Sequence, residues 1–155
     1  MIVKPKLVIC DEAVSALDVS IQSQIVDLIL RLQAEFNMSL IFISHDLSVV
    51  RQVSHRVMVL YLGRIVELAD RHAIYEDPRH PYTKALISAV LIPDPQAERA
   101  KPHGQLLGEL TSPLDTRAQL AFLKSHLIDN PDAEQYRPQL QEVAPGHFVA
   151  EFDPE

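Results

Sequence analysis

The first apolar run of the chain, Leu7-Val8-Ile9-Cys10, ends abruptly on two adjacent carboxylates, Asp11 and Glu12. A continuous run of that kind suits a strand buried on both faces of a parallel sheet, with its acids emerging at the C-terminal edge where open α/β sheets place ligands. From Ser20 to Phe36 the pattern changes to helical spacing, with Ile21, Ile25, Leu28, Ile29, Leu32 and Phe36 forming one apolar stripe. Asp18 or Ser20 can cap the start of this helix, and Asn37 can stop it. Leu40 to Ser44 reads as a second buried strand and runs directly into His45-Asp46. Strand, helix and strand in so short a length make a βαβ unit with parallel strands. Asp11, Glu12 and His45 then share one sheet edge, although this alone does not make the two strands neighbours.

Further along, Leu47 to Val53 predicts a short helix that Asp46 can cap. Val57 to Leu62 and Ile65 to Ala69 predict strands on either side of a Gly63-Arg64 turn. His72 to Glu76 suggests a helical turn, broken by Asp77-Pro78-Arg79-His80-Pro81, and Tyr82 to Val90 a further short helix. Pro93-Asp94-Pro95 and Lys101-Pro102-His103-Gly104 mark loops. Ala118 to Leu127 is a helix candidate and His147 to Phe152 a strand candidate. Of eleven prolines only Pro5 precedes Pro78. The first half is therefore expected to be regular α/β structure, and the second to be short elements on rigid loops.

Composition narrows the function. The 155 residues are 47% apolar and 23% charged, as in a globular domain, and the net charge of −7 leaves no basic stripe for nucleic acid. A single cysteine and the lack of a secretory leader pattern predict a reducing cytoplasm. No apolar run approaches the roughly 20 residues that cross a bilayer, so any work at a membrane is expected to go through a partner. Residues 112–155 carry an acidic excess that reads as a solvated surface.

Paired acids after a buried strand can hold Mg²⁺, activate a water or accept a phosphoryl group. They can equally be solvated members of a capped turn, and taken alone that reading is the better one. His45 at the end of the next strand shifts the balance, because three ionisable groups then converge on one edge. A phospho-accepting domain would want a lysine at the end of a later strand, and residues 57–69 contain none.

Ile9-Cys10-Asp11-Glu12, Ser15-Ala16-Leu17-Asp18 and Ile43-Ser44-His45-Asp46 together resemble the second half of an ABC-transporter ATPase. The resemblance implies ATP and Mg²⁺ as cofactors. Asp11 matches the strand aspartate that helps hold Mg²⁺ (Walker B), and Glu12 the glutamate that polarises the attacking water. His45 matches the switch histidine on the γ-phosphate, and Ser15, Ala16, Leu17 and Asp18 the D-loop at the interface of two ATPase subunits. More specifically, Ala13 to Gln22, Tyr61-Leu62-Gly63-Arg64 and Pro78 to Leu86 resemble the oligopeptide/dipeptide permease ATPases, with the Ala-Val-Ser-Ala turn most similar to their F-type branch. The likeness is strong over residues 2–112 and weaker near Val143 to Ala150. The DNA-repair branch of the wider family shares the acidic strand, but the His80-Pro81-Tyr82-Thr83 segment and the acidic balance speak against it.

This resemblance implies an α/β fold: the C-terminal part of a P-loop NTPase sheet with a βαβ unit, a hairpin and an irregular extension. It divides the chain into 1–77 of the ATPase core and 78–155 of the extension. It implies a second ATPase subunit, transmembrane permease subunits and, indirectly, a peptide-binding protein as partners, at the cytoplasmic face of the membrane. Two departures matter. None of the four glycines fits a Gly-x-x-x-x-Gly-Lys-Ser/Thr loop, and the glutamine loop and Ser-Gly-Gly signature are also missing. In the family these lie upstream, so the chain resembles the C-terminal part of a longer ATPase and by itself is expected to be inactive. Family topology also sets the phosphate-loop strand between the strands ending at His45 and starting at Val57, which leaves a gap or a rearranged sheet here. Second, no cysteine follows Ser112-Pro113, so no iron–sulfur cluster is expected and Cys10 is expected to pack as a small apolar residue. The alternative is an inert fragment, or an interaction module that docks on an intact partner ATPase.

Overall fold

The computed structural model describes residues 5–61, 63–89 and 138–152. They belong to two compact units, Met1–His55 and Arg56–Glu155. The expectations for Leu62, for Val90, for the loops at 93–95 and 101–104, for the 118–127 helix and for residues 112–132 lie outside the described residues.

In the first unit, β1 (Leu7–Asp11), α1 (Val19–Phe36) and β2 (Ser39–Ile43) form the predicted βαβ unit, followed by α2 (Leu47–Val53). β1 and β2 are parallel neighbours, registered from Leu7 opposite Ser39 to Asp11 opposite Ile43. Asp18 is the cap of α1: its Oδ1 accepts from the Ser20 and Ile21 amides at 3.1 and 3.0 Å and from the Ser20 hydroxyl at 2.6 Å. Asn37 ends α1 in the left-handed conformation, at φ 48°.

Burial departs from expectation in two places. The opening strand is not covered on both faces. Val8 and Cys10 are half-buried, whereas Leu7, Ile9, Ile41 and Ile43 are 48, 62, 46 and 48% exposed. The core formed with α1 and α2 lies on the Phe42 side of this sheet, so the alternate side chains of both strands are left bare. Likewise the buried side of α1 is centred on Val26, with Ile25 and Leu30 beside it, while Ile21 and Leu28 of the predicted stripe are exposed. The helix is apolar over more than one stripe, and the covered one faces Val14, Val49, Val53 and Phe42. Cys10 packs as expected in its strand, and partial burial pushes its thiol above the ordinary range.

The second unit is a four-stranded antiparallel sheet in the order β3 (Arg56–Tyr61), β4 (Arg64–Asp70), β6 (His147–Ala150), β5 (Leu140–Ala144). Gly63, at φ 74°, turns the predicted β3–β4 hairpin, whose register slips between Val59 and Leu60. β5 was not anticipated. It runs back against β6 through a turn in which Gly146 adopts φ 73°. β6, shorter than the expected strand, joins β4 through Glu67–Val149 and Leu68–Phe148. Between the hairpins lie α3 (Arg71–Glu76), capped by Asp70, and α4 (Pro81–Ser88), capped by His80 with Pro81 in its first turn.

Candidate functional site

The end of β1 is where the ionisable side chains meet. Asp11 occupies the last register position, opposite Ile43, and is exposed. The ladder continues one residue further, because the Glu12 amide donates to the Ile43 carbonyl at 2.9 Å. The chain then turns. Glu12 has a left-handed backbone at φ 45°, a conformation that costs a non-glycine residue roughly 1–2 kcal/mol. Bonds on both sides hold it there: its own carbonyl accepts from the Ser15 amide at 3.2 Å and the Ser15 hydroxyl at 3.0 Å. Val14, almost fully buried among Val26, Val49 and Val53, anchors the turn to the core.

This turn carries the Glu12 carboxylate toward the residue that follows β2. Glu12 Oε1 lies 3.2 Å from His45 Nδ1, with the side chains 57 and 72% exposed. The pair can share a proton or hold a water between an acceptor and a donor, and it stands open to a ligand. Ser15, Ala16, Leu17 and Asp18 form the exposed rim of the same turn.

Behind His45 lies a polar anchor that sequence reasoning recognised only in part. Asp46 caps α2 as expected, its Oδ1 accepting from the Ser48 amide at 2.9 Å, the Val49 amide at 3.3 Å and the Ser48 hydroxyl. Its second oxygen accepts from Gln22 Nε2 at 3.0 Å, and its own amide donates to Ser44 Oγ at 3.0 Å. The Ser48 hydroxyl, and secondarily Gln22 and the two amides, hold the Asp46 carboxyl below the usual carboxylate range against a smaller opposing effect of burial. The folded state therefore binds this proton less readily than the unfolded chain. The resulting stability is complete above the ordinary carboxylate range and is lost as pH falls through the folded-state value. Asp46→Ala is expected to cost about 1 kcal/mol in urea unfolding near neutrality, and the difference from wild type should close in strong acid. A gap of undiminished size there would contradict this assignment.

Among the described residues no three His, Cys, Asp or Glu side chains converge as a cation site. The described residues therefore make no closed metal cage. An exposed strand-end carboxylate such as Asp11 instead suits the open kind of site in which Mg²⁺ keeps waters and takes phosphate oxygens as further ligands.

The second unit holds a buried polar cluster that sequence reasoning missed. Glu67 is fully buried in β4; its Oε1 accepts from the Arg79 amide at 2.8 Å, and its Oε2 from the His80 amide at 3.0 Å. His147 Nε2 lies 2.6 Å from the same Oε1, and since both oxygens already act as acceptors, the imidazole N–H is the donor. His80 in turn caps α4, its Nδ1 accepting from the Tyr82 amide at 3.2 Å. The Tyr61 and Tyr82 rings pack 4.5 Å apart, and burial, then the Tyr82 phenol, pushes the Tyr61 hydroxyl above its ordinary range. Two of the three segments that carried the more specific sequence resemblance, around Tyr61 and around His80-Pro81-Tyr82, thus meet in space. A charged residue in the middle of Ile65-Val66-Glu67-Leu68-Ala69 was the available signal.

Comparison with known proteins places the chain in a family. Residues 66–114 match the family described as "Oligopeptide/dipeptide transporter, C-terminal region". Over 141 residues the chain is 53% identical to the oligopeptide transport ATP-binding protein OppF of Salmonella typhimurium, covering 91% of this chain and 42% of that protein. It is 48% identical over 150 residues to OppF of Haemophilus influenzae, covering 97% of this chain and 45% of the relative. Against OppF of Escherichia coli the identity is 51% over 141 residues, or 91% of this chain and 42% of the relative. The chain thus spans less than half the length of the curated relatives it matches. With that length of identity and the match to their C-terminal region, the chain belongs to the oligopeptide/dipeptide transport ATP-binding proteins, of which it represents a C-terminal portion.

Proposed function

We propose that this chain forms the metal- and water-handling part of the ATP site in a P-loop ATPase subunit that energises a peptide importer. The observation that carries the reading is the Glu12–His45 contact at the shared edge of two parallel strands, beside Asp11. Phosphoryl transfer to water asks a protein for positioning and charge stabilisation more than for covalent chemistry. In this reading the Glu12 carboxylate orients and polarises the attacking water, and the His45 ring donates toward the γ-phosphate. Asp11 contributes one carboxylate, through water, to Mg²⁺. That ion when bound neutralises charge on the phosphate oxygens. Ser15, Ala16, Leu17 and Asp18 face a second ATPase subunit. Residues 1–77 belong to the ATPase core, and 78–155 to an extension. The complete subunit works at the cytoplasmic face of the membrane with transmembrane permease subunits and, through them, a peptide-binding protein. No helix among the described residues is long and apolar enough to cross a membrane, which fits a peripheral subunit.

The sequence contains no loop of backbone amides and lysine to grip the phosphates. The 155-residue chain alone is therefore expected to show no measurable Mg²⁺-dependent ATP hydrolysis and to bind ATP more weakly than micromolar. Joined to the part of the Salmonella typhimurium relative that precedes the matched segment, it is expected to hydrolyse ATP. Robust turnover by the chain alone, or none by a folded joined protein, would overturn the reading. A second reading, a module that docks on an intact partner ATPase without turning over, is favoured by the bare apolar side chains of Leu7, Ile9, Ile41 and Ile43.

A further inference from the structure

The His45 side chain is largely exposed, so packing does little to fix it. Its position relative to Glu12 must come from the backbone on either side. On one side Ile43 is held by the β1 ladder and accepts from the Glu12 amide. On the other side is Asp46, and its carboxylate is divided between two tasks. One oxygen is taken up by the cap of α2; the other accepts from Gln22 Nε2 at 3.0 Å.

Gln22 is placed one helical turn before Val26, at the head of the α1 side that packs on Val49 and Val53 of α2. A long polar side chain at the head of an apolar side is costly unless it finds a partner there, and Asp46 is that partner. Gln22 is also tied to the exposed turn, since its amide donates to the Asp18 carbonyl at 2.8 Å. One residue thus bonds by its backbone to the rim of the Ser15–Asp18 turn and by its side chain to the residue after His45.

We propose that Gln22 is a positioning residue that holds Asp46, and through it His45, in reach of Glu12, and so links the Ser15–Asp18 turn to the reacting pair. The proposal rests on the reading of Glu12 and His45 as the water- and phosphate-handling pair. It predicts that a shift of the turn, such as a second subunit would impose, is carried by the first turn of α1 into the placement of His45.

Two measurements test it. In the 155-residue chain, the nuclear Overhauser contact between the Glu12 side chain and the His45 ring should be present in wild type and lost in Gln22→Leu. Gln22→Lys, which restores a donor to Asp46, should retain it. In the joined protein, Gln22→Leu should lower kcat by about 10-fold, the scale of a small misplacement, with KM for ATP unchanged, and Gln22→Lys should recover most of the rate. A contact that survives Gln22→Leu, a wild-type kcat in that variant, or an equal loss in both variants with a lowered Tm would each overturn the proposal. Failure of the underlying reading looks different: the joined protein would then keep its turnover in Glu12→Gln.

Discussion

Glu67→Ala is expected to be the most damaging single substitution in the second unit, costing about 3–5 kcal/mol, the range for breaking a buried pair by removing one member. The carboxylate satisfies three donors at once: two backbone amides of the 79–80 turn and the His147 ring. Truncation takes the acceptor from all three, two of which, the His80 amide and the His147 ring, make buried bonds, and each buried group so orphaned carries its own desolvation cost. Glu67→Gln should be nearly as harmful. Glutamine offers one oxygen and one NH₂, so whichever way the amide turns it points a donor at a donor. His147→Ala should cost less, because the two amides keep their partner. Urea unfolding followed by the tyrosine signal gives the order. A Glu67→Gln variant with wild-type stability would refute the three-donor account.

In the joined protein, Glu12→Gln is expected to lower kcat by about 10²–10⁴-fold, the usual worth of a positioned acid–base group, with KM for ATP little changed. The substitution suits the question because it is nearly isosteric. The left-handed backbone, the bonds to Ile43 and Ser15, and an oxygen within reach of His45 can all persist. What disappears is the negative charge that, on the proposed reading, polarises water. His45→Ala should also depress kcat but keep a larger residue of activity, since on the same reading it removes charge stabilisation and leaves the base in place. Steady-state turnover with saturating Mg²⁺ reads both. Retention of more than half the wild-type rate in Glu12→Gln would take Glu12 out of the chemistry.

These residues were legible in the sequence to different degrees, and the difference has physical causes. Asp11, Glu12 and His45 could be placed on one edge because strand period, helix period and cap chemistry are local rules, and β1, α1 and β2 obey them. The left-handed turn at Glu12 could not be read, since its support comes from Ile43 across the sheet and from the Ser15 hydroxyl. Asp46 was legible as a cap but not as a partner of Gln22, which depends on how α1 and α2 pack. The apolar run Leu7 to Cys10 was misleading about burial. Such a run encodes a strand that is suited to cover on both faces, and here only one face is covered. β5 escaped notice because Leu140-Gln141-Glu142-Val143-Ala144 has no clean alternation and only Leu140 is even half-buried. Glu67 is the instructive omission. A charge inside an apolar strand is costly unless it is bonded, so its presence there was itself a statement about distant donors.

The division into two units has a practical optical consequence. The chain has no tryptophan, and its four tyrosines, at 61, 75, 82 and 136, all fall within Arg56–Glu155. Ultraviolet emission is therefore blind to the half that carries Glu12, Gln22 and His45. The longest described helix, α1, lies in that silent half and dominates its far-ultraviolet dichroism. Melting curves recorded by the two methods would follow different parts of one polypeptide, and non-coincidence between them would show that the βαβ unit and the antiparallel sheet unfold as separate cooperative bodies.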